Sequence, residues 1–575
     1  MKFNVCLIRV LAFTLMLAAS ARLYAVEAPP IDAGTLQRTL PPAETEIQRA
    51  LEQKEKTLIE QPESPPSTVQ VKVVVKKIKL TGNKLLTTDE LMAVLKPNLG
   101  KSLGMPELER MAQSVGEAYR KKGYWARAYL PDQDVTSGEV WIDIIEAKLG
   151  QIRLETSEDH LRFSKERALA MVGRGQQAGG AIKILDLEKS IRELDNVSGI
   201  TAAVVLDKGK NAGETDVVIK MANTPFITGS LRADNFGSRA TGYNRGVLYL
   251  TLDSPFKQGE QFNLQYVKTS DMDFYSLGAN YPLRNDGTQV SVMYTNMDYR
   301  LGFPLQDSRA WGNSDSYGVT LTRPFFGGFD SDFKASLSYA HKKFYNQASD
   351  IEVSDKKING YVLSGLLNST DEFFGGGMTF GSLSYVWGNL DLGGASSDLQ
   401  MDQTTAKRQG RFSKVALSLT RVQQITQKNV LWLVMNGQHA FDNLDSSERI
   451  SLGGPTGIRA YPTAEGNGDD GVTITAELRH QLFDKFQMVG FYDWGHIRLN
   501  HQTWDGWNAS NTAIQNEYEL KSWGFGCRWN FMEGYELVGN VAKKINENPG
   551  MSDAGKDGDG THRDVRGWLS IVKVF

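Results

Sequence analysis

Arg459 and Asp493 are the side chains whose types and surroundings most invite chemistry. Arg459 lies in the stretch 452–471, LGGPTGIRAYPTAEGNGDDG, which is too long and too rich in Gly and Pro for a hairpin turn. Asp493 is a lone acid among aromatics in GFYDWG at 490–495. The chemistry on offer is recognition: a guanidinium can donate two parallel hydrogen bonds to one carboxylate. The alternative is an ordinary loop cation and an ordinary strand acid. Other constellations are weaker. GNGDDG at 466–471 matches G-x-G-x-x-G, but a strand follows it, whereas a nucleotide fingerprint opens a helix. Asp469 and Asp470 are expected to be solvated loop acids. His496 and His501 are close in sequence but lack a third ligand, so no metal and no cofactor is assigned. No nucleophile–base set is visible, and the chain does not read as an enzyme.

The elements that must position Arg459 and Asp493 come from the rest of the chain. It has 575 residues, enough for several domains or one large barrel. Its 64 basic and 67 acidic side chains lack the basic excess of a nucleic-acid binder. The N-terminus has a basic start, a short apolar run and small residues, which predicts a signal peptide over 1–25. Cys6 falls inside it, so Cys527 would be the mature chain's one thiol, read as a small apolar strand residue. No later stretch approaches the ~20 apolar residues of a spanning helix. The chain is therefore exported and soluble, or it spans a membrane as a β-barrel.

Residues 26–70 are rich in Pro and Glu, with a polar helix expected over 41–56 and an extended linker after it. Residues 71–147 read as a βααββ unit. It has a strand over 71–80, a helix capped by Thr87 or Thr88, a helix begun by Pro106 and ended by Gly123, and strands over 126–130 and 140–145. Residues 148–223 repeat that order, with Ser164 as a helix cap.

From 224 to 575 helical periodicity gives way to alternating strands. Val472, Ile474, Ala476 and Leu478 alternate with Thr473, Thr475, Glu477 and Arg479. The length fits roughly 14 to 18 strands, with about 16 as the even count expected of an antiparallel transmembrane β-barrel. Phe325, Phe326, Trp432, Tyr492, Trp494 and Trp523 are candidates for interfacial girdles. The terminal Phe575 suits a closing barrel strand, although Lys573 falls on the same face as Leu569 and Ile571.

This layout resembles the TpsB transporters of two-partner secretion, within the outer-membrane superfamily that joins POTRA modules to a barrel. The resemblance rests on YRKKGYWARAYLPDQ at 119–133, GSLRADNFGSRATG at 229–242, IRAY at 458–461 and FYDWG at 491–495. It implies α+β POTRA modules in the periplasm and a barrel in the bacterial outer membrane. The implied partner is a secreted TpsA exoprotein (adhesin, haemolysin or contact-dependent toxin), translocated unfolded. It further implies contact with outer-membrane lipid, assembly by the barrel-assembly machinery, and no nucleic acid. Carried onto this sequence, the lumen-loop motif is Gly457, Ile458, Arg459, Ala460 and Tyr461, with Ala460 where Gly is usual. Its partner motif on the wall is Phe491, Asp493 and Gly495. The POTRA motif is Tyr119, Gly123, Tyr124, Leu130, Pro131 and Gln133, of which Leu130, Pro131 and Gln133 are either structural or partner-contacting. The competing functions are a barrel-assembly insertase of the same superfamily, a passive porin and a soluble adhesin.

Overall fold

In the first module, two helices pack on a three-stranded sheet. The computed structural model describes residues 31–41, 59–60, 72–211, 213–327, 331–509 and 511–575. The expected signal peptide and, beyond Pro41, the expected polar helix lie outside the described residues. Helix Thr88–Leu95 is opened by a capping box in which Thr87 and Glu90 satisfy each other's backbone N–H. Helix Met105–Lys121 buries Leu108, Met111, Ala112, Val115 and Tyr119, spaced three and four apart on one face. Gly123 follows it at φ 88°, the left-handed conformation that lets the chain turn out of a helix. The sheet order is Lys77–Thr81, Glu139–Glu146, Ala126–Tyr129. The single strand expected over 71–80 is two. Lys72–Val74 pairs with Ser102–Gly104, while Lys77–Thr81 pairs with Glu139–Glu146. The chain changes partners at Lys76, so no one ladder can run through.

The second module has strands Lys148–Glu155, Ile200–Lys208 and Glu214–Asn223 under helices Lys165–Val172 and Ile184–Asp195. Ser164 caps the first helix by accepting from Arg167 N. Ile59–Glu60 runs parallel along the edge strand, opposite Val204 and Val205. The module is seated on the barrel turns. Arg167 donates to the carbonyls of Gln258 and Pro282, both at 3.0 Å, and Arg174 to that of Asn285 at 2.6 Å. Ser254 donates to the Arg162 carbonyl at 2.6 Å.

The barrel closes through sixteen antiparallel strands among the described residues, from Ile227–Asp234 to Val565–Val574. At the seam, Gly229 and Phe575 exchange both backbone bonds, at 2.9 and 3.0 Å. Alternation sets the two faces: Ile474 and Leu478 are exposed to the outside, while Thr473 and Asp493 are buried inside. The lumen wall carries cross-strand hydroxyl pairs such as Thr295 with Ser316, Thr320 with Ser338 and Ser364 with Ser384, at 2.6 to 2.9 Å. Phe325, Phe326, Tyr492 and Trp523 are exposed on the outside and Trp494 is half-buried. Trp432 is not a girdle residue. Its register opposite Glu477 turns it inward, where the Arg479 guanidinium lies 3.8 Å from its ring. Lys573 resolves its place among apolar neighbours by reaching back to the Glu533 carbonyl at 3.1 Å, across the Tyr535 ring. Cys527 is free and half-buried.

Candidate functional site: a locked loop and a short helix inside the barrel

The segment between strands Asn429–Ala440 and Asp470–Phe483 folds back against inward-facing wall residues. Its own compactness comes first. Ile458 N donates to the Leu452 carbonyl at 2.8 Å, and Leu452 N and Gly453 N to that of Glu465 at 3.0 and 2.9 Å. Leu452, Ile458, Ala460 and Tyr461 form a buried cluster with wall residues including Val489, Phe491 and Leu520. Gly457 is required by space: a Cβ there would lie 2.0 Å from the Leu452 carbonyl oxygen. Gly495 leaves room for the loop, since its Cβ would meet Leu452 and Ile458 at 3.1 and 3.3 Å. Ala460 is fully buried and its backbone is not left-handed; the left-handed alanine of this stretch is Ala464, at φ 68°. Alanine at 460 therefore costs no backbone strain. Gly457→Val should open this loop, since overpacking of this kind costs about 1–3 kcal/mol. Faster proteolysis of the loop in isolated outer membranes is the readout.

Arg459 sits on the wall at this tip. Its Nε and one terminal nitrogen donate to the two Asp493 oxygens at 3.0 and 2.7 Å, and its backbone N adds a third bond at 3.1 Å. Thr475 and Ser522 hydroxyls complete the Asp493 shell at 3.1 and 2.9 Å. The other terminal nitrogen reaches Glu477 at 2.7 Å, and the guanidinium lies 3.4 Å from the Phe491 ring. Trp568, on the last strand, donates to the Arg459 carbonyl at 2.7 Å. The lock thus ties the loop to three of the last five barrel strands, including the one that closes the seam.

The loop stem is held as firmly. Asp469 and Asp470 are not solvated. Asp469 is fully buried and takes Arg449 at 2.9 Å and His501 N at 2.9 Å. Asp470 takes Ala440 N at 2.8 Å and the rings of His439 and His501 at 2.8 and 3.0 Å. The fold of the loop, which a hydrophilic sequence does not reveal, buries Asp469 and half-buries Asp470.

A helix that the sequence does not announce also lies in the lumen. Ala33–Arg38 is capped by Asp32, whose Oδ1 accepts from Thr35 N at 2.9 Å. Asp32 Oδ2 takes the Lys356 ammonium at 3.0 Å and the Ser446 hydroxyl at 2.6 Å, and the same ammonium lies 2.8 Å from Asp445. Arg38 donates to the Arg449 carbonyl and, at 2.9 Å, to Asn467. Gly34 lets the helix touch the loop: a Cβ would fall 2.7 Å from Ser446 Oγ. The helix is fastened to the loop stem at one end and to the wall through Asn346.

The six motif residues lie elsewhere, in the first module, and two of them, Gly123 and Tyr124, meet the second module. Tyr119 donates to Glu146 at 2.7 Å, and burial beside that carboxylate pushes its hydroxyl pKa up. The Gly123 carbonyl accepts from Ile184 N at 3.0 Å, and Tyr124 bridges to Lys183. Leu130 packs on the first core and Pro131 is half-buried. Gln133 spends its amide on Trp141, donating to its carbonyl and accepting from its N–H, both at 2.7 Å.

Comparisons with known proteins converge on this arrangement. The model of the haemolysin secretion/activation protein family ShlB/FhaC/HecB matches residues 213–515, and that of the ShlB-type POTRA domain matches 73–147. The heme/hemopexin transporter HuxB of Haemophilus influenzae is 26% identical over 98% of this chain and 98% of its own. The outer membrane transporter CdiB of Escherichia coli is 24% identical over 74% of this chain and 72% of its own. The solved structure of Escherichia coli CdiB shares the fold at a TM-score of 0.65 and 19% identity, over 92% of this chain and 96% of that one. With the family model spanning more than half of its length, the chain belongs to the haemolysin secretion/activation family of outer-membrane transporters, ShlB/FhaC/HecB.

Proposed function

We propose that this chain exports one TpsA exoprotein across the outer membrane, capturing it in the periplasm and passing it unfolded through the barrel. In this reading residues 1–25 are a signal peptide, 26–70 a plug and linker, 71–147 and 148–223 two POTRA modules, and 224–575 the barrel. The observation that carries it is the lumen: a polar wall closed by a loop and a helix, both held by hydrogen bonds and ion pairs. The hydrogen bonds and ion pairs of these closures can be exchanged for bonds to a hydrophilic chain, while the buried apolar contacts of Leu36, Ile458 and Tyr461 are given up in the exchange. Arg459, Asp493 and Phe491 hold the loop at rest, with Gly457, Ile458, Ala460, Tyr461 and Gly495 shaping its seat. Gly123 and Tyr124 join the two modules, while Tyr119, Leu130, Pro131 and Gln133 shape the first one, leaving capture to sheet edges.

An extended segment can add to a sheet edge through main-chain bonds. The second module's edge already carries Ile59–Glu60, so the linker competes with an incoming strand there. Ile59→Pro should raise the affinity for the exoprotein's N-terminal domain about two- to tenfold, by removing the occupied fraction. Titration calorimetry with that domain reads it, and unchanged affinity argues against competition. The function itself is tested by deletion. Loss of this chain should trap one exoprotein in the periplasm, while other barrels assemble normally. A general loss of barrels would favour the insertase reading.

A further inference from the structure

On the POTRA side of the loop lock, the wall nearest the seam differs from the wall opposite. The opposite wall is lined by neutral hydroxyl pairs such as Thr320 with Ser338 and Ser364 with Ser384. The seam-side wall carries arginines. Arg479 is the next inward residue after Glu477, bonded to its Oε2 at 2.9 and 2.6 Å and stacked on Trp432. Arg528, two strands away, meets Glu536 at 3.1 Å. Arg232, on the first barrel strand, and Glu536 both stand opposite Val572, one from each side. Arg232 has no ion pair among the described residues, and its buried Nε has no hydrogen-bond partner.

The charges do not cancel. Five arginines, Arg232, Arg245, Arg459, Arg479 and Arg528, face four carboxylates, Asp234, Glu477, Asp493 and Glu536, on this wall; Asp234 is taken up by Arg245, and Glu477 is shared between Arg459 and Arg479. The surplus guanidinium is Arg232, half-buried on the inner face of the wall. Guanidinium groups bind carboxylates through two parallel bonds, and a narrow space lined by one sign of charge concentrates the opposite sign.

We propose that Arg232, Arg528 and Arg479 form a contact strip for the carboxylate side chains of the polypeptide in transit, so that the lumen favours acidic segments. The proposal rests on the reading that a chain passes through this barrel. Arg232 provides the free end of the strip. Arg528 and Arg479 exchange Glu536 and Glu477 for carboxylates on the passing chain, which moves along the wall by partner exchange.

The test uses the full chain in planar bilayers, with short oligoglutamate or oligolysine peptides added on the POTRA side. Oligoglutamate should interrupt the current about tenfold more often than oligolysine at low salt, and the difference should fade as salt screens it. Arg232→Gln should bring the two peptides close to parity, as should Arg232→Gln with Arg528→Gln, while Ser364→Ala on the opposite wall changes nothing. Heat-modifiable migration checks that each variant is a closed barrel. Equal capture of both peptides by the wild type, or an undiminished preference in Arg232→Gln, overturns the strip. Export of the exoprotein is measured separately. A wild type that exports without discriminating sinks the strip alone, and one that exports nothing sinks the transport reading beneath it.

Discussion

Arg459→Ala should cut export at least tenfold while leaving the barrel assembled. The guanidinium holds both Asp493 oxygens, Glu477 and the face of Phe491 at once, so its loss releases the loop tip from the wall. Asp493 is fully buried, and without Arg459 its charge would keep only the Thr475 and Ser522 hydroxyls and one backbone N–H. Removing one partner of a buried pair costs about 3–5 kcal/mol. None of that falls on the strand ladders that close the barrel, so heat-modifiable migration should stay normal. Arg459→Lys should recover little. A single ammonium cannot span Asp493 and Glu477 in the geometry of a planar fork. Asp493→Ala should act in the same direction as Arg459→Ala, and the double variant should be little worse than Arg459→Ala alone, since the pair they share is already gone. The readout is exoprotein in the medium against exoprotein retained in cells. Normal export by Arg459→Ala at a normal protein level would remove the loop from the mechanism.

The types of residues 459 and 493 allowed a pair but left an ordinary loop cation and strand acid equally open; the resemblance of IRAY at 458–461 and FYDWG at 491–495 to family motifs pointed to the pair. The strands were legible because alternation over 472–479 is a local property that the barrel leaves intact. Features that depend on register or long-range packing were not. Glu477 shares the Arg459 guanidinium, and Trp432 lies under Arg479, only because Asn429–Ala440 and Asp470–Phe483 pair in one particular alignment. Asp469 and Asp470 lie in a hydrophilic run that reads as surface, and only the fold of the loop buries Asp469 and half-buries Asp470. Ala33–Arg38 was invisible for a further reason. Six residues carry no periodicity, and a helix that short does not hold itself together in water. What holds it is supplied from more than three hundred residues away, by Asn346, Lys356 and Ser446.

That dependence makes Lys356→Ala the second large effect, opposite in kind to the first: a barrel that leaks. Lys356 is almost wholly buried, and its ammonium is the one group joining Asp32 on the helix to Asp445 on the loop stem. Remove it, and two carboxylates face each other across the space it filled. The helix loses one of its two wall contacts at the cap, keeping that to Asn346, and the stem loses the charge that steadies Asp445, whose Oδ1 also caps Ser447 N at 3.0 Å. A cost of about 3 kcal/mol, the low end for an orphaned buried charge, lowers helix occupancy roughly a hundredfold. The open fraction in planar bilayers should rise accordingly, and cells should become sensitive to antibiotics too large for ordinary porins. Charge, and not side-chain volume, should govern the effect. Lys356→Arg should stay closed, and adding Asp32→Asn to Lys356→Ala should restore part of the closure by removing the repulsion. If Lys356→Ala is as tight as the wild type, the remaining contacts, those of Arg38 with Arg449 and Asn467 and of Ala33 with Asn346 among them, are enough to hold the helix. If it leaks but Asp32→Asn does not help, the lost contact is that of Asp445, and the loop stem, not the helix cap, is the part that gives way.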